Sequence, residues 1–568
     1  MSRKKTPHQV SLPELAESPQ MIDHIEIEDP ADLPQTGVPH FLLPHKTIRI
    51  AVSGDVFLTR LEKEIVDTQA FQRLRGIRQL GNAMHVYPTA LHTRFDHSLG
   101  TLAMAESMLK AIKDNLHSSE DERYISFEQE ALARLYALLH DITHIPFGHL
   151  IEDELLIFKR HDENPDRINY FLGPQSEIGS LITKHLGAAL YTRLMEIFHS
   201  DGNHASLKDD AFVYDIVSNT VCADLLDYLA RDSYFCNLGF WFEYRFLNFL
   251  YLHRCDDGSR RVFVRLWKGN KSTPRRDTLS DLTRLLEARY LIAERVYFHP
   301  AKIVSGTMLG RSLLEANLAE KLSEVDLYSH SDDTLLRFLE MECPPLASNL
   351  ARQLRTRKLY RPLRKYTEAD FLGVQDRNYQ SDALNSNFGK VKEPLDRLQF
   401  ENRLAEEVDA EPGDILVYAP PRKMNPKLAK MQVLWKGTAR DFKDIDDPVI
   451  TPRLQEIIKA HEMLWGIHVF VRRDLSDKQL ALLRRACDLE FLNEPDRQQE
   501  SQLEYYEKLI ELHLEKLRIN IPSDSEEFFQ RRAQAALRLA DAAHDRRSWE
   551  ERISAVTSEY FGDKQDES

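Results

Sequence analysis

Along most of the chain the apolar positions recur at helical spacing. The stretch LTRLEKEIVDTQAFQRLRGIRQL (58–80) carries them this way, with Asp67 or Thr68 as candidate N-cap of a second helix. LGTLAMAESMLKAIKDNL (99–116) predicts an amphipathic helix. FEQEALARLYALLHDITH (127–144) predicts another, which stops before Pro146. SEIGSLITKHLGAAL, HASLKDDAFVYDIVSNTVCADLLDYLARDSYF and LSDLTRLLEARYLIAERVYF extend the series. RRVFVRLWKGNKSTPRRD (260–277) reads instead as a short hairpin with a basic turn. Further on, GDILVYAP, KMQVLWKG and WGIHVFVRRDL alternate as strands do, and SDKQLALLRRACDLEFL (476–492) is helical again.

These patterns predict a mainly α protein: a helical core with a small C-terminal α+β lobe. Residues 1–44 read as a flexible arm and 45–360 as the principal domain. Residues 361–412 mix charge, Asn, Gly and Pro and read as a linker or irregular subdomain. The lobe is expected over 413–495, and 496–568 as a charged helical extension, a solvated appendage rather than a catalytic part. There is no internal repeat.

Composition narrows the class. A hydrophobic content of 42% supports a packed core. The net charge of −15 argues against a protein that coats nucleic acid, although one cleft can still be basic. The five cysteines are scattered without a CxxC pair, which excludes a disulfide framework or zinc ribbon and suits a reducing cytoplasm. The N-terminus begins basic but has no apolar run after it, and no stretch reaches the length of a membrane span. Nothing indicates a nucleic-acid or membrane partner.

The chemistry is carried by RFDHS (94–98), LLHDITHIPFGH (138–149) and ADLLDYLARD (223–232). His97, His140, Asp141 and Asp224 supply two imidazoles and two carboxylates. That set suits one divalent ion (Fe, Mn, Zn, Ni or hydrated Mg) with positions left for water and phosphate. His140 ends an apolar helix, and Asp141 lies roughly 100° further round it. His144 is expected one turn on, on the same face as His140. His149 follows Pro146 and Gly148 and can turn back toward the site. A His beside an Asp is by itself usually an ordinary polar contact. Several histidines at an apolar helix end are costly unless satisfied, and Arg94 stands three residues before His97.

The strings DTQAFQRLRGIRQLG (67–81), HTRFDHSLGT (92–101), HDITHIPFGH and DLLDYLARD resemble the HD-domain dNTP triphosphohydrolases. The similarity runs almost without gaps from about Lys46 to His97, and is weaker over 412–492. No SAM domain, which vertebrate members carry, is visible. The resemblance implies an HD-domain core and metal-dependent hydrolysis of a deoxynucleoside triphosphate to deoxynucleoside and triphosphate. It implies His97, His140, Asp141 and Asp224 as metal ligands, with a second Mg accompanying the substrate phosphates, and Arg94 as a phosphate contact. His144 and His149 would stand near the scissile phosphate, with His149 giving a proton to the leaving group. His161, in FKRHDEN, would be a further catalytic histidine; its other reading is a surface residue beside Asp162. Gln79, Tyr228 and Asp232 would surround the deoxyribose, and Arg289 and Tyr297 would add phosphate and sugar contacts. Core packing is the other reading of the two tyrosines.

The same resemblance implies a guanine-nucleotide activator (GTP or dGTP) held by Lys46, Asp67, Gln72 and Arg75 between subunits of a homo-oligomer, dimer or tetramer. The plainer reading of those residues is a helix cap followed by a charged face. Two positions depart from the family. Leu225 stands where a phosphate-binding lysine is expected, and Phe298 where a glutamine reads the base. Lys302, in HPAKIV, either restores a cation or is solvated. Leu225 keeps open a phosphatase or phosphodiesterase acting on another nucleotide. A non-catalytic nucleotide-sensing or nucleic-acid-binding scaffold is the reading from another class; the acidic charge and intact ligand set weigh against it.

Overall fold

The computed structural model describes residues 38–115, 124–239, 243–267, 273–367, 370, 388–421, 431–436, 438–492, 506–514, 517, 526–541 and 549–561. The expected arm lies outside them except for its last residues. An antiparallel hairpin, β1 (Pro44–Ile50) and β2 (Gly54–Thr59), opens the fold. It hands on to α1 (Arg60–Val66) through a capping box, in which Thr59 and Glu62 satisfy each other's backbone N–H. The helical spacing over 58–80 is not one helix. The chain turns at Asp67, Thr68 caps the single turn Gln69–Gln72, and a 3₁₀ turn, Arg73–Gly76, follows.

Helix α2 (Arg94–Asp114) starts at a second capping box, Thr93 with Asp96, and buries Leu99, Leu102, Ala105, Met108, Leu109 and Ile112. It packs on α3 (Phe127–Leu139). Helix α3 ends short of the expected 144. At His140 the ring Nδ1–H turns back onto the Ala137 carbonyl, and the chain then leaves the helix. Pro146 has no N–H to give, and Phe147 and Gly148 take positive φ of 61° and 32°. Helices α4 (Glu177–Phe198, broken at Gly187), α5 (Ala211–Ser218) and α6 (Ala223–Phe235) complete this bundle.

The expected hairpin over 260–277 is displaced. β3 (Leu250–Arg254) pairs antiparallel with β4 (Arg260–Arg265), so RRVFVR is the second arm. The basic turn falls largely outside the described residues, Trp267 makes one bridge to Pro274, and α7 (Arg276–Ile292) starts directly afterwards. Helices α8 (Pro300–Leu318), α9 (Asp332–Glu342) and α10 (Pro345–Arg355) close the helical core.

The C-terminal region comprises β5 (Arg361–Tyr366), α11 (Pro394–Glu407), β6 (Ile415–Tyr418), β7 (Gln432–Trp435), β8 (Thr438–Asp441), α12 (Ile450–Glu462), β9 (Ile467–Val471), α13 (Asp477–Phe491), α14 (Glu526–Asp541) and α15 (Trp549–Phe561). Three expectations change here. The stretch 361–412 is not simply a linker: RPLRKY is an edge strand on β9, in the antiparallel order β5-β9-β6. An edge strand tolerates Pro362 and exposed cations, which hid it from an alternation test. The KMQVLWKG strand leaves the lobe and joins β3 and β4 in a sheet of order β3-β4-β7-β8. The extension is packed, not solvated: Phe528, Leu539, Ile553, Val556 and Phe561 are buried in the lobe's own core with Phe400, Leu404 and Phe491.

Candidate metal centre

Three helical elements bring the four expected ligands together. His97 lies in the first turn of α2, His140 ends α3, Asp141 follows it, and Asp224 opens α6. Asp224 Oδ1 lies 3.0 Å from His97 Nε2 and 3.7 Å from His140 Nε2, and the two Nε2 atoms are 3.3 Å apart. Asp141 closes the group, with Oδ1 3.5 Å from His140 Nε2 and Oδ2 3.6 Å from His97 Nε2. Asp141 Oδ2 also accepts from buried Arg94 Nη1 at 2.5 Å.

Each imidazole is held by its far nitrogen. His140 Nδ1–H donates to the Ala137 carbonyl, and His97 Nδ1 pairs with Asp227 Oδ2 at 2.9 Å. That arrangement leaves both Nε2 atoms for an ion. Asp227 is itself fixed by Arg231, which reaches on to the Ala51 carbonyl and Ser53. The site fits a divalent cation. Burial opposes an imidazolium at His97, yet hydrogen bonds to Asp224 and Asp227 push its pKa up to about 10. Without an ion, the carboxylates draw a proton into the cation's place.

The remaining histidines form a second group that also meets Asp141. His144 does not share a helix face with His140, because the helix has ended. Its Nε2 lies 3.3 Å from Asp141 Oδ1, and its ring stacks on His161 at 3.6 Å. The half-exposed His149 ring is 4.7 Å from His144 and 5.3 Å from His161, with Nδ1 held by Asp153 at 2.6 Å. His161 is buried in this group, not on the surface. Burial, with the Arg94 guanidinium, pushes His144 down to about 3, so it is neutral. Burial also works against charge on His161, but Glu152 beside it raises its pKa overall. Glu152 Oε2 lies 3.3 Å from His161 Nδ1 and 3.5 Å from His144 Nδ1, and its other oxygen pairs with Arg167. Burial favours protonated Glu152, yet its hydrogen bonds with His144 and His161 hold it well below the usual carboxylate range.

A third set continues along α6. Asp224, Tyr228 and Asp232 stand at i, i+4 and i+8, on one face and spanning about 12 Å. Asp232 accepts from Tyr297 Oη at 2.7 Å and pairs with His92 Nε2 at 2.8 Å. Burial pushes the phenols of Tyr228 and Tyr297 up, so both stay protonated donors. Gln79 Oε1 and Arg289 Nη1 are buried with no hydrogen-bond partner among the described residues. Leu225 points into the core, and Lys302 is neither a free cation nor solvated: it is buried in an ion pair with Glu154.

The four activator residues make contacts of their own. Lys46 is exposed on β1; Asp67 pairs with Lys63 at 2.6 Å; Gln72 bonds the Val66 carbonyl and Arg75; and Arg75 lies 3.5 Å over the Phe95 ring. Sequence reasoning missed Asp227, Glu152, His92 and Asp332. The last accepts the Arg78 and Phe147 N–H groups and pins the turn that carries His149. Asp227 and His92 sit inside the motif strings, so their position was the available signal. Glu152 showed only as an acid in an apolar run, and Asp332 gave no signal.

Two family models match the chain: the HD domain over residues 94–232 and the HD associated region over 281–499. An uncharacterized protein of Methanocaldococcus jannaschii is 27% identical over 76% of this chain and 80% of that one. The deoxynucleoside triphosphate triphosphohydrolase SAMHD1 homolog of Dictyostelium discoideum is 26% identical over 61% of this chain; the match spans 64% of that enzyme's length. A phosphohydrolase structure from Bacteroides thetaiotaomicron has a TM-score of 0.53 at 19% identity, covering 76% of this chain and 100% of that one, which speaks for the fold. With the His–Asp cage in place, these similarities put the chain among the HD-domain metal-dependent phosphohydrolases, in a family like the deoxynucleoside triphosphate triphosphohydrolases.

Proposed function

We propose that the chain hydrolyses deoxynucleoside triphosphates to deoxynucleoside and triphosphate. The observation that carries this is the single face of α6, which sets a metal ligand, an aromatic ring and a carboxylate in line. A phosphate ester at Asp224 leaves its sugar beside Tyr228 and Asp232. An aromatic ring against C2′ excludes a 2′-hydroxyl, while Asp232 and Gln79 offer acceptors to a 3′-hydroxyl. An ion in the cage supplies Lewis acidity toward a phosphoryl oxygen and a more acidic water. Arg94 offsets phosphate charge next to Asp141, and the unpaired Arg289 edge offers a second guanidinium. Neutral His144 stacks behind the reacting group. His149, anchored through Nδ1 and open to solvent, gives its proton to the leaving oxygen.

A second reading is favoured by Leu225 and Lys302. With one in the core and the other committed to Glu154, neither gives the cage a lysine, which suits a substrate with fewer phosphates. The activator reading rests on Lys46, Asp67, Gln72 and Arg75 as donors and acceptors for a guanine nucleotide between subunits. One experiment separates these readings: a panel of dNTPs and NTPs with several metals, with and without GTP, with the phosphate product identified and the oligomeric state measured. Inorganic triphosphate from dNTPs supports the proposal. Orthophosphate alone supports the second reading, and nucleotide binding without turnover supports a scaffold. Equal activity and assembly with and without GTP sinks the activator site.

A further inference from the structure

The residues after His149 form one π-helical turn, Leu150–Glu154, with three consecutive acidic side chains. Each is committed to a different neighbour. Glu152 meets His144 and His161, and Asp153 meets His149 and Arg160. Glu154 is buried and turned toward the C-terminal lobe. Lys302 of α8 takes one of its oxygens, and the Tyr418 hydroxyl of β6 donates to the other at 2.9 Å. The next carbonyl, Leu155, accepts from Arg397 Nη2 of α11 at 2.8 Å. Tyr418 is 1% exposed and Arg397 6%. A single π turn is rare and found often at functional sites, and this one, closed by one bond from Leu155 N–H to the Leu150 carbonyl, is also held by partners outside it. Here two of those partners come from the lobe, 264 and 242 residues along the chain.

We propose that Tyr418 and Arg397 are positioning residues: from the lobe they fix the turn that presents Glu152 and Asp153 to the three histidines, so the seating of the lobe is coupled to turnover. The coupling to turnover rests on the role given to those histidines above; the fixing of the turn does not. Loss of the Tyr418 hydroxyl leaves one oxygen of Glu154 buried and unpaired, and loss of the Arg397 guanidinium frees the Leu155 carbonyl. Either change lets the turn shift, and displacements of about 1 Å cost on the order of a hundredfold in rate.

The test uses the full-length, metal-loaded protein as Tyr418→Phe, Arg397→Met and Arg397→Lys, with Arg403→Ala as an exposed control on the same helix. The substrate is the most active nucleotide of the panel. Tyr418→Phe and Arg397→Met should lower kcat about tenfold to a hundredfold with KM and metal content little changed, and Arg397→Lys should recover part of the loss. Hydrogen exchange should quicken over 144–161 and stay unchanged in α2. Unchanged kcat in both variants overturns the coupling, and exchange that rises evenly along the chain overturns the local fixing. If wild type turns over no nucleotide, the functional reading fails, while the exchange pattern still decides the positioning role.

Discussion

Asp227 is not one of the four expected ligands, yet by pairing with Nδ1 it decides which nitrogen of His97 faces them. The same holds for the Ala137 carbonyl and His140. Asp227→Asn should therefore weaken metal binding about tenfold to a hundredfold, measured by competition with a chelator; unchanged affinity would mean that His97 is oriented by something else. Replacing His140 and Asp141 together by Ala should abolish metal binding and turnover while circular dichroism stays native. Asp332 gives a pH dependence. Burial raises its carboxyl from 3.8 to about 6, so the folded state binds the extra proton. Stability from this group is therefore greatest at low pH and falls as pH rises between about 4 and 6, by about 3 kcal/mol at most. Urea unfolding of wild type and Asp332→Asn across that window should show a steeper decline in wild type; parallel curves would reject the assignment. At this scale the sequence brought out the four candidate ligands, because their types and spacing are local facts. It did not single out Asp227 from the acids of DLLDYLARD, since only packing decides which one faces His97.

The element that matters most to the proposal is α6, whose 3.6-residue period sets three separated letters on one face. Removing the ring at its centre, Tyr228→Ala, should reduce the preference for deoxy- over ribonucleotides by about tenfold in kcat/KM. A preserved ratio would place the discrimination elsewhere. Helices were legible wherever the period ran unbroken, as in α2 and α3. Their ends were less so. The break at His140 depends on a side chain satisfying its own helix, and it takes His144 off the helix face of His140 and into the group with His149 and His161. Strand β5 escaped notice for the opposite reason: RPLRKY has little alternation of its own and becomes a strand only by pairing with β9.

Across the whole molecule, the C-terminal helices close the lobe that holds the histidine turn. Ile553 is 3% exposed within that second core. Ile553→Ala should cost about 2–5 kcal/mol of lobe stability in thermal or urea unfolding. A solvated extension would show no change. The high charge of 500–568 concealed this, because the buried apolar residues of α14 and α15 are few and interspersed with charged ones. By itself the sequence determined the donor set, the helical class and the order of the motifs, all of which follow from residue type and short-range period. Tertiary structure alone decided which nitrogen of each imidazole is free, which acids brace the histidines and which strands share a sheet. Those outcomes turn on which groups packing brings face to face, from Ala137, three residues before His140, to Asp227, 130 residues beyond His97, and spacing along the chain does not give that.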